Sequence, residues 1–112
     1  MKKLAPFLIL ILLTSCQSKL DKFAQCLNDE GAVFYGSQSC EHCKEQKEFF
    51  AESAKYLHYV ECDEYAKDSD HETCESVKIN AYPTWIFKDG TYLVGKQTFK
   101  DLSDKTTCEI PL

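Results

Sequence analysis

The sequence predicts an α/β fold in which helices flank a mixed, four-stranded sheet. Runs with helical periodicity alternate along the chain with short runs of strand-forming residues. A helical run separates the first two strand runs, so these two strands should be parallel. The last two strand runs are separated by Asp89-Gly90, a tight-turn signal, so they should pair as an antiparallel hairpin. A chain of 112 residues has room for one such domain.

The first half of the domain contains two helical patterns and two short strand patterns. Apolar residues recur at i, i+3, i+4 and i+7 from Leu20 to Leu27, which predicts a helix with one apolar stripe, and Gly31 is its stop signal. The predicted elements of this half are, in order, a helix over 17–30, the strand Ala32–Gly36, a helix from near Cys40 to about Leu57 and the strand His58–Cys62.

The second half opens with the polar, acidic stretch 63–75, which predicts a loop that enters a short helix. The acidic run Glu61–Glu75 is most simply a solvated face. Trp85 lies inside the next strand pattern and is expected in the core. The predicted elements of this half are a short helix near His71–Val77, the strands Thr84–Lys88 and Thr91–Gly95, and a final helix over Phe99–Thr107.

The N-terminal segment is predicted to be an export signal. Two lysines precede the apolar stretch Leu4–Leu13, which is too short for a membrane span and the right length for a signal peptide. The following Leu13-Thr14-Ser15-Cys16 resembles the lipobox of bacterial lipoproteins. That resemblance implies cleavage after residue 15, lipid attachment at Cys16 and a domain over 17–112 anchored outside the cytoplasm to a bacterial membrane. The alternative is ordinary cleavage after a small residue, which leaves Cys16 as a free thiol.

The charge balance argues against a nucleic-acid partner. Without the signal peptide the chain holds 11 lysines, no arginine and 18 acidic residues, and it contains no basic cluster. The acidic run after the second strand could instead repel acidic clients or steer basic ones. No cofactor is predicted.

The seven cysteines carry the functional prediction. Outside the cytoplasm cysteines are best read as pairs, and lipid on Cys16 would leave an even six. Cys40 and Cys43 open a helix, where free amides and the helix dipole favour a thiolate. His42, if protonated, would add to this effect, whereas three nearby glutamates would oppose it. Cys43, one turn further on, could resolve a mixed disulfide formed by Cys40.

The residues around this pair resemble the thioredoxin superfamily. Cys40-Glu41-His42-Cys43 follows an apolar strand, and Tyr82-Pro83-Thr84 precedes the hairpin. The resemblance implies a thioredoxin-like fold in which Pro83 is cis and faces the cysteine pair, while the backbone at Tyr82 binds an extended client peptide. It also implies catalysis of thiol–disulfide exchange with client proteins.

A closer resemblance is to the thioredoxin-like domain fused to bacterial homologues of vitamin K epoxide reductase. In that family the membrane enzyme reoxidises the domain with quinone, so a quinone-linked membrane oxidase is an implied partner. The segments that carry the resemblance are "FAQCL" (23–27), "GAVFYG" (31–36), "CEHCKEQKEFF" (40–50), "AKYLHYVEC" (54–62) and "INAYPTWIF" (79–87).

Three positions depart from the usual thioredoxin pattern. Ser39 stands where thioredoxins usually have Trp, and Glu41 where Pro is frequent. Phe34 replaces the buried acid that many thioredoxins have six residues before the first active-site cysteine. These departures bear on the redox potential and efficiency of the pair.

Four cysteines remain for structural or relay disulfides. The closer family carries an extra pair where Cys62 and Cys74 stand, which could be a static clip or a relay to the reactive pair. Cys26 and Cys108 are left over and are paired by elimination.

Two other functional readings compete with the oxidoreductase. A zinc site could use Cys40, Cys43 and Cys74 with His71 or His42, but one Cys-x-x-Cys is half of a zinc signature. A binding module with three structural disulfides would have no chemistry of its own. The sequence therefore predicts a thiol–disulfide oxidoreductase, with no resident metal.

Overall fold

The structure, a computed structural model, describes residues 17–112. The predicted signal peptide over 1–15 and the predicted lipid site Cys16 lie outside the described residues. The elements in chain order are α1 (Lys19–Asp29), β1 (Val33–Gly36), α2 (Glu41–Phe50), a 3-10 helix (Ala51–Tyr56), β2 (His58–Glu61), α3 (His71–Ser76), β3 (Thr84–Ile86), β4 (Tyr92–Val94) and α4 (Phe99–Thr106).

The strands form one mixed sheet in the order β2-β1-β3-β4. β1 and β2 are parallel, with Phe34 opposite Tyr59, whereas β3 pairs antiparallel with β1 and with β4. The predicted four-stranded sheet, its parallel pair and its hairpin are confirmed.

The predicted helix from Cys40 to Leu57 is wrong in its second half. The α-helix ends at Phe50 because Ala51 adopts a φ of 46°, and the chain continues as the 3-10 helix. The break turns the buried Ser53 toward α1, where its hydroxyl donates to Asp21 at 2.5 Å. The tertiary contact with α1 is thus made by a tighter helix than the sequence pattern indicates.

The core lies on the face of the sheet that α1, α2 and α4 cover. Phe34 of β1 stacks on Trp85 of β3 with ring centroids 4.9 Å apart, and Trp85 is fully buried as predicted. Phe23 of α1 and Phe50 of α2 extend this aromatic core. Since each aromatic ring buries a large apolar area, this cluster is the main hydrophobic stabilisation of the domain.

A buried amide ties α2 to the rest of this core. The Gln46 side chain accepts from the Trp85 indole at 3.1 Å and from the Gln97 N–H at 2.7 Å, and it donates to the Gln97 carbonyl. Because a buried amide is stable only when its polar atoms are paired, these bonds fix the position of α2 against β3. The helix that carries the cysteine pair is therefore rigidly seated.

Among residues 17–112, none of the helices combines the length and the apolar character needed to cross a membrane.

Candidate active site

Cys40 and Cys43 lie at the turn between β1 and α2. Cys40 is the N-cap of α2, and its sulfur accepts the backbone N–H of Cys43 at 3.1 Å. Cys40 is partly exposed, whereas only 1% of Cys43 is exposed. A helix N-terminus favours negative charge, so the turn offers solvent one sulfur in a position suited to nucleophilic attack.

Cys43 is held as a buried thiol. Burial, the hydrogen bond with Cys40 and the charge of Cys40 raise the pKa of Cys43 to about 12, against smaller lowering effects of a backbone hydrogen bond with Ser37 and of the Lys47 charge. The two sulfurs are therefore unequal. Cys40 is accessible, while Cys43 keeps its proton in neutral solution.

His42 lies on the outer surface of α2. Its Nδ1 atom is 3.7 Å from a carboxylate oxygen of Glu45, its side chain is 70% exposed, and Glu45 also pairs with Lys96. The hydrogen bonds of the described residues include none from His42 to either sulfur. The influence of His42 on Cys40 stays a prediction.

Asp63, which follows β2, supports the turn before Cys40. One of its carboxylate oxygens accepts the Ser39 hydroxyl at 3.0 Å and the Gln38 side-chain amide at 3.2 Å. Hydrogen bonds from the Tyr65 N–H and from Ser39 lower the pKa of Asp63, so it is ionised near neutral pH. Part of the acidic run that the sequence indicated as a solvated face thus belongs to the site.

Glu61, the last residue of β2, is a buried carboxylate beside the same turn. It is 6% exposed and accepts three hydrogen bonds, from the Gln38 N–H, the Asp63 N–H and the Tyr59 hydroxyl, each at 3.1 Å. The prediction that the acidic run Glu61–Glu75 is a solvated face is wrong for Glu61, because hydrogen bonds from the neighbouring turn bury its carboxylate; a glutamate inside the predicted strand His58–Cys62 was the available signal. Glu61 joins the end of β2 to the turn that presents Cys40.

Gly36 brings Tyr59 and Cys43 close together. A Cβ atom on Gly36 would lie 2.8 Å from the Tyr59 ring, 3.1 Å from its hydroxyl and 3.2 Å from the Cys43 sulfur. The ammonium of Lys47 stands 3.6 Å from the centroid of the Tyr59 ring. Glycine at this position leaves the space that the phenol and the thiol share.

The Tyr82–Pro83 peptide bond is cis, and it precedes β3. Pro83 is buried and Tyr82 is 39% exposed. Burial first, and then the charges of Asp63 and Cys43, raise the pKa of Tyr82. Binding of a client peptide at Tyr82 and Pro83 stays a prediction.

Comparison with known proteins identifies the fold. No protein-family model matches the chain. Thioredoxin from Malassezia sympodialis (Mala s 13) aligns over 73% of this chain and 81% of its own, with a TM-score of 0.50 and 19% identity. Poplar thioredoxin h, PtTrxh4, aligns over 77% of this chain and 82% of its own, with a TM-score of 0.50 and 25% identity. The chain has a thioredoxin-like fold.

A relative in sequence is the thiol-disulfide oxidoreductase LTO1 of Arabidopsis thaliana. It is 42% identical over 87 residues, which cover 74% of this chain and 23% of that protein. The chain thus spans less than a quarter of the length of this relative.

Two disulfides join the four described cysteines other than Cys40 and Cys43. One joins Cys26 to Cys108 across 82 residues, and the other joins Cys62 to Cys74 across 12. These are the pairs that the sequence analysis proposed. Cys62 and Cys74 are each 2% exposed, which favours a static clip over a relay because an attacking thiolate needs access to a sulfur.

The zinc alternative fails on the position of one cysteine. It required Cys74 beside Cys40 and Cys43, but Cys74 is bonded to Cys62, and the His71 Nδ1–H donates to the Cys62 carbonyl. Within the described segment, no three His, Cys, Asp or Glu side chains are grouped so that they could hold a metal ion.

Proposed function

We propose that this chain is a protein thiol–disulfide oxidoreductase whose reacting pair is Cys40 and Cys43. The observation that carries the proposal is the inequality of the two sulfurs. Cys40 is accessible at a helix N-terminus, whereas the Cys43 thiol is buried. The backbone N–H of Cys43 donates to the Cys40 sulfur at 3.1 Å. Enzymes that exchange disulfides need one attacking sulfur and a second that resolves the mixed disulfide.

As a reductant, the Cys40 thiolate attacks a client disulfide and expels one client sulfur as a thiolate. Cys43 then loses its proton and attacks Cys40, which forms the Cys40–Cys43 bond and releases the second client sulfur. Two electrons pass to the client. As an oxidant the chain runs the same steps in reverse, and resemblance to quinone-linked relatives favours this direction.

The compartment and partner are a further part of the proposal. The domain acts outside the cytoplasm, anchored to a bacterial membrane by lipid on Cys16, and a quinone-linked membrane oxidase reoxidises it. The two closed disulfides support this compartment, because such bonds persist in oxidising environments. The similarity to LTO1, named a thiol-disulfide oxidoreductase, supports the reaction class.

The decisive test of the reaction is capture of a mixed disulfide. Cys43→Ala should hold client proteins on Cys40 as adducts that survive a non-reducing gel and disappear with reductant. Cys40→Ala is the matched control and should hold none. If Cys43→Ala forms no adducts and Cys40 does not react with alkylating reagents near neutral pH, the chain is a disulfide-bonded binding module and not an enzyme.

The anchoring is tested by fractionation of bacteria that express the full chain. The unaltered chain should sediment with membranes, and Cys16→Ser should move it to the soluble extracytoplasmic fraction. An unchanged distribution would remove the lipid anchor from the proposal. The equilibrium potential of the Cys40–Cys43 couple in glutathione buffer then separates an oxidant from a reductant.

A further inference from the structure

The charged side chains on the two sides of Cys40 differ in how they are paired. On the α2 side, Glu45 pairs with Lys96 and with His42. On the side of the loop after β2, the Asp63 carboxylate takes part in none of the ion pairs of the described residues. A client that approaches Cys40 therefore meets a compensated charge on one side and an uncompensated negative charge on the other.

Asp63 is held in a fixed position next to the reacting turn. Its Oδ2 atom accepts the Ser39 hydroxyl at 3.0 Å and the Gln38 side-chain amide at 3.2 Å. Its Oδ1 atom accepts the backbone N–H of Tyr65 at 3.0 Å. Ser39 immediately precedes Cys40 in the chain. Because the carboxylate is already ordered, a cation that binds it loses little free energy to ordering it.

One acceptor position of this carboxylate stays open. A carboxylate offers about four lone-pair positions, two on each oxygen. Both positions on Oδ2 and one on Oδ1 are used, so one remains on Oδ1. Asp63 is partly exposed, and it is ionised at neutral pH because hydrogen bonds from Tyr65 and Ser39 lower its pKa. A single open position suits the ammonium of lysine, since a bidentate arginine needs both oxygens.

No cation of the described residues is paired with that position. The ring of His71 is engaged elsewhere, with Nδ1 at 3.1 Å from the Cys62 carbonyl and Nε2 at 3.0 Å from Glu75. The charge of His71 is the smallest of the influences that lower the pKa of Asp63. The open position is therefore available to a cation that a client brings.

We propose that Asp63 selects client proteins that carry a lysine beside the cysteine that reacts with Cys40. This inference rests on the proposed function and names the client class for the same site. The client sulfur becomes bonded to Cys40, and Asp63 is bonded to the residue before it, so a neighbouring client lysine is within reach. Tyr65, in the same turn, is 86% exposed and offers an aromatic ring, which also attracts cations.

The test measures the attack of Cys40 on matched peptide disulfides. Each probe is a capped Gly-Xaa-Cys-Gly peptide whose cysteine is joined to 2-thiopyridine, and Xaa is lysine, glutamine or glutamate. The Cys40 thiolate forms a bond to the peptide sulfur, and the electron pair of the broken bond leaves on thiopyridine, which takes up a proton and absorbs in the near ultraviolet. The leaving group is neutral and identical in all three probes. Cys40→Ala measures the background from Cys16.

The lysine probe should react about fivefold faster than the glutamine probe at low salt, as for a favourable exposed ion pair, and the glutamate probe should be the slowest. In Asp63→Asn the lysine and glutamine probes should react within twofold of each other, because the amide carries no charge. The ratio of the two rates is the readout, since loss of a nearby negative charge also changes the reactivity of Cys40 toward every probe.

Two control variants separate Asp63 from a diffuse negative field. Glu64→Gln removes the next charge along the same loop, and Glu41→Gln removes an exposed acid directly after Cys40. Neither carboxylate is in an ion pair of the described residues, and each variant should keep the lysine preference above threefold. A longer probe with its lysine six residues from the cysteine keeps the same net charge, and it should show no preference in the unaltered protein.

A lysine preference below twofold in the unaltered protein, or an equal loss of it in Asp63→Asn and Glu64→Gln, would overturn the inference. A preference that survives when the lysine is moved away would do the same, because it would come from net charge alone. If Asp63→Asn proves unfolded by circular dichroism, the probe with the distant lysine decides. Release no faster than in Cys40→Ala with all three probes would instead refute the proposed function.

Discussion

The Cys40–Cys43 pair and the Cys26–Cys108 bridge are alike in solvent exposure, but their partly exposed cysteines lie at opposite ends of a helix dipole. Cys43 and Cys108 are both buried in the aromatic core, and their partners are both partly exposed. Cys40, however, caps the N-terminus of α2, whereas Cys26 lies in the last turn of α1, where its carbonyl accepts the N–H of Glu30. A helix N-terminus favours a thiolate and a C-terminus opposes it. Backbone position, more than exposure, separates the pair that we propose to be reactive from the structural one.

The largest expected effect comes from removing the sulfur at the helix N-terminus. Cys40→Ala should lower the rate of client disulfide reduction on the order of 10³-fold or more, because no accessible nucleophile remains. Turnover of a protein disulfide with excess reductant measures this. Cys26→Ala/Cys108→Ala should keep its rate at temperatures where it is folded, and a comparable loss there would erase the contrast between the two pairs.

Stability should respond in the opposite order. Cys26→Ala/Cys108→Ala should lower the free energy of unfolding by about 4–5 kcal/mol, because the bridge closes a loop over most of the domain. Urea denaturation without reductant measures the change. The shorter loop makes Cys62→Ala/Cys74→Ala the graded control, with about 3 kcal/mol. Equal losses in the two double variants would contradict the loop-entropy account.

Filling the space above Gly36 should disturb the reactive region alone. Gly36→Ala places a Cβ 2.8 Å from the Tyr59 ring and 3.2 Å from the Cys43 sulfur, so it should cost about 1–3 kcal/mol of stability and slow resolution by Cys43. Urea denaturation measures the first effect. The release of two thiolates from dithiobis-nitrobenzoate, the first by attack of Cys40 and the second by resolution through Cys43, measures the second. Gly90→Ala is the control, because its Cβ meets no atom within 4 Å. It should leave the rates of both thiolate releases unchanged despite the strain of its φ of 83°.

The effect that is smallest near neutral pH is a pH dependence that appears only in alkaline solution. The folded-state pKa of Cys43 is raised to about 12, so the folded chain holds this proton more tightly than the unfolded chain does. The resulting stabilisation is complete below the ordinary thiol pKa of about 8.5 and is lost as the pH rises toward 12, by at most about 1.4 kcal/mol per pH unit. Denaturation of reduced protein against Cys43→Ala at pH 8 to 11 isolates it. Parallel curves for the two proteins would show that Cys43 titrates normally.

The topology can be predicted from the sequence because local residue patterns specify it. The helical period before Gly31, the helix between the first two strands and the turn at Asp89-Gly90 together leave few arrangements of four strands. The thiol pair at the start of α2 is equally local. Ala51 is different, since no glycine or proline marks the end of α2, and the break depends on the contact of Ser53 with α1.

The polar residues of the site could not be predicted from local pattern. Glu61 and Asp63 reach the turn at Gln38 and Ser39 across more than twenty residues of sequence. Within an acidic run, a carboxylate that is buried by tertiary contacts looks the same as one in solvent. Only the parallel pairing of β1 with β2, which sets Glu61 opposite Gly36, brings this carboxylate to the turn before Cys40.

The Cys26–Cys108 bridge also changes what a protease can do to this domain. A single cut at any peptide bond between the two cysteines opens the chain, but the fragments remain one covalent molecule until a reductant is added. The exposed segment around Tyr65 could thus be nicked without separating β2 from the strands that follow it. On a gel the damage would become visible only after reduction.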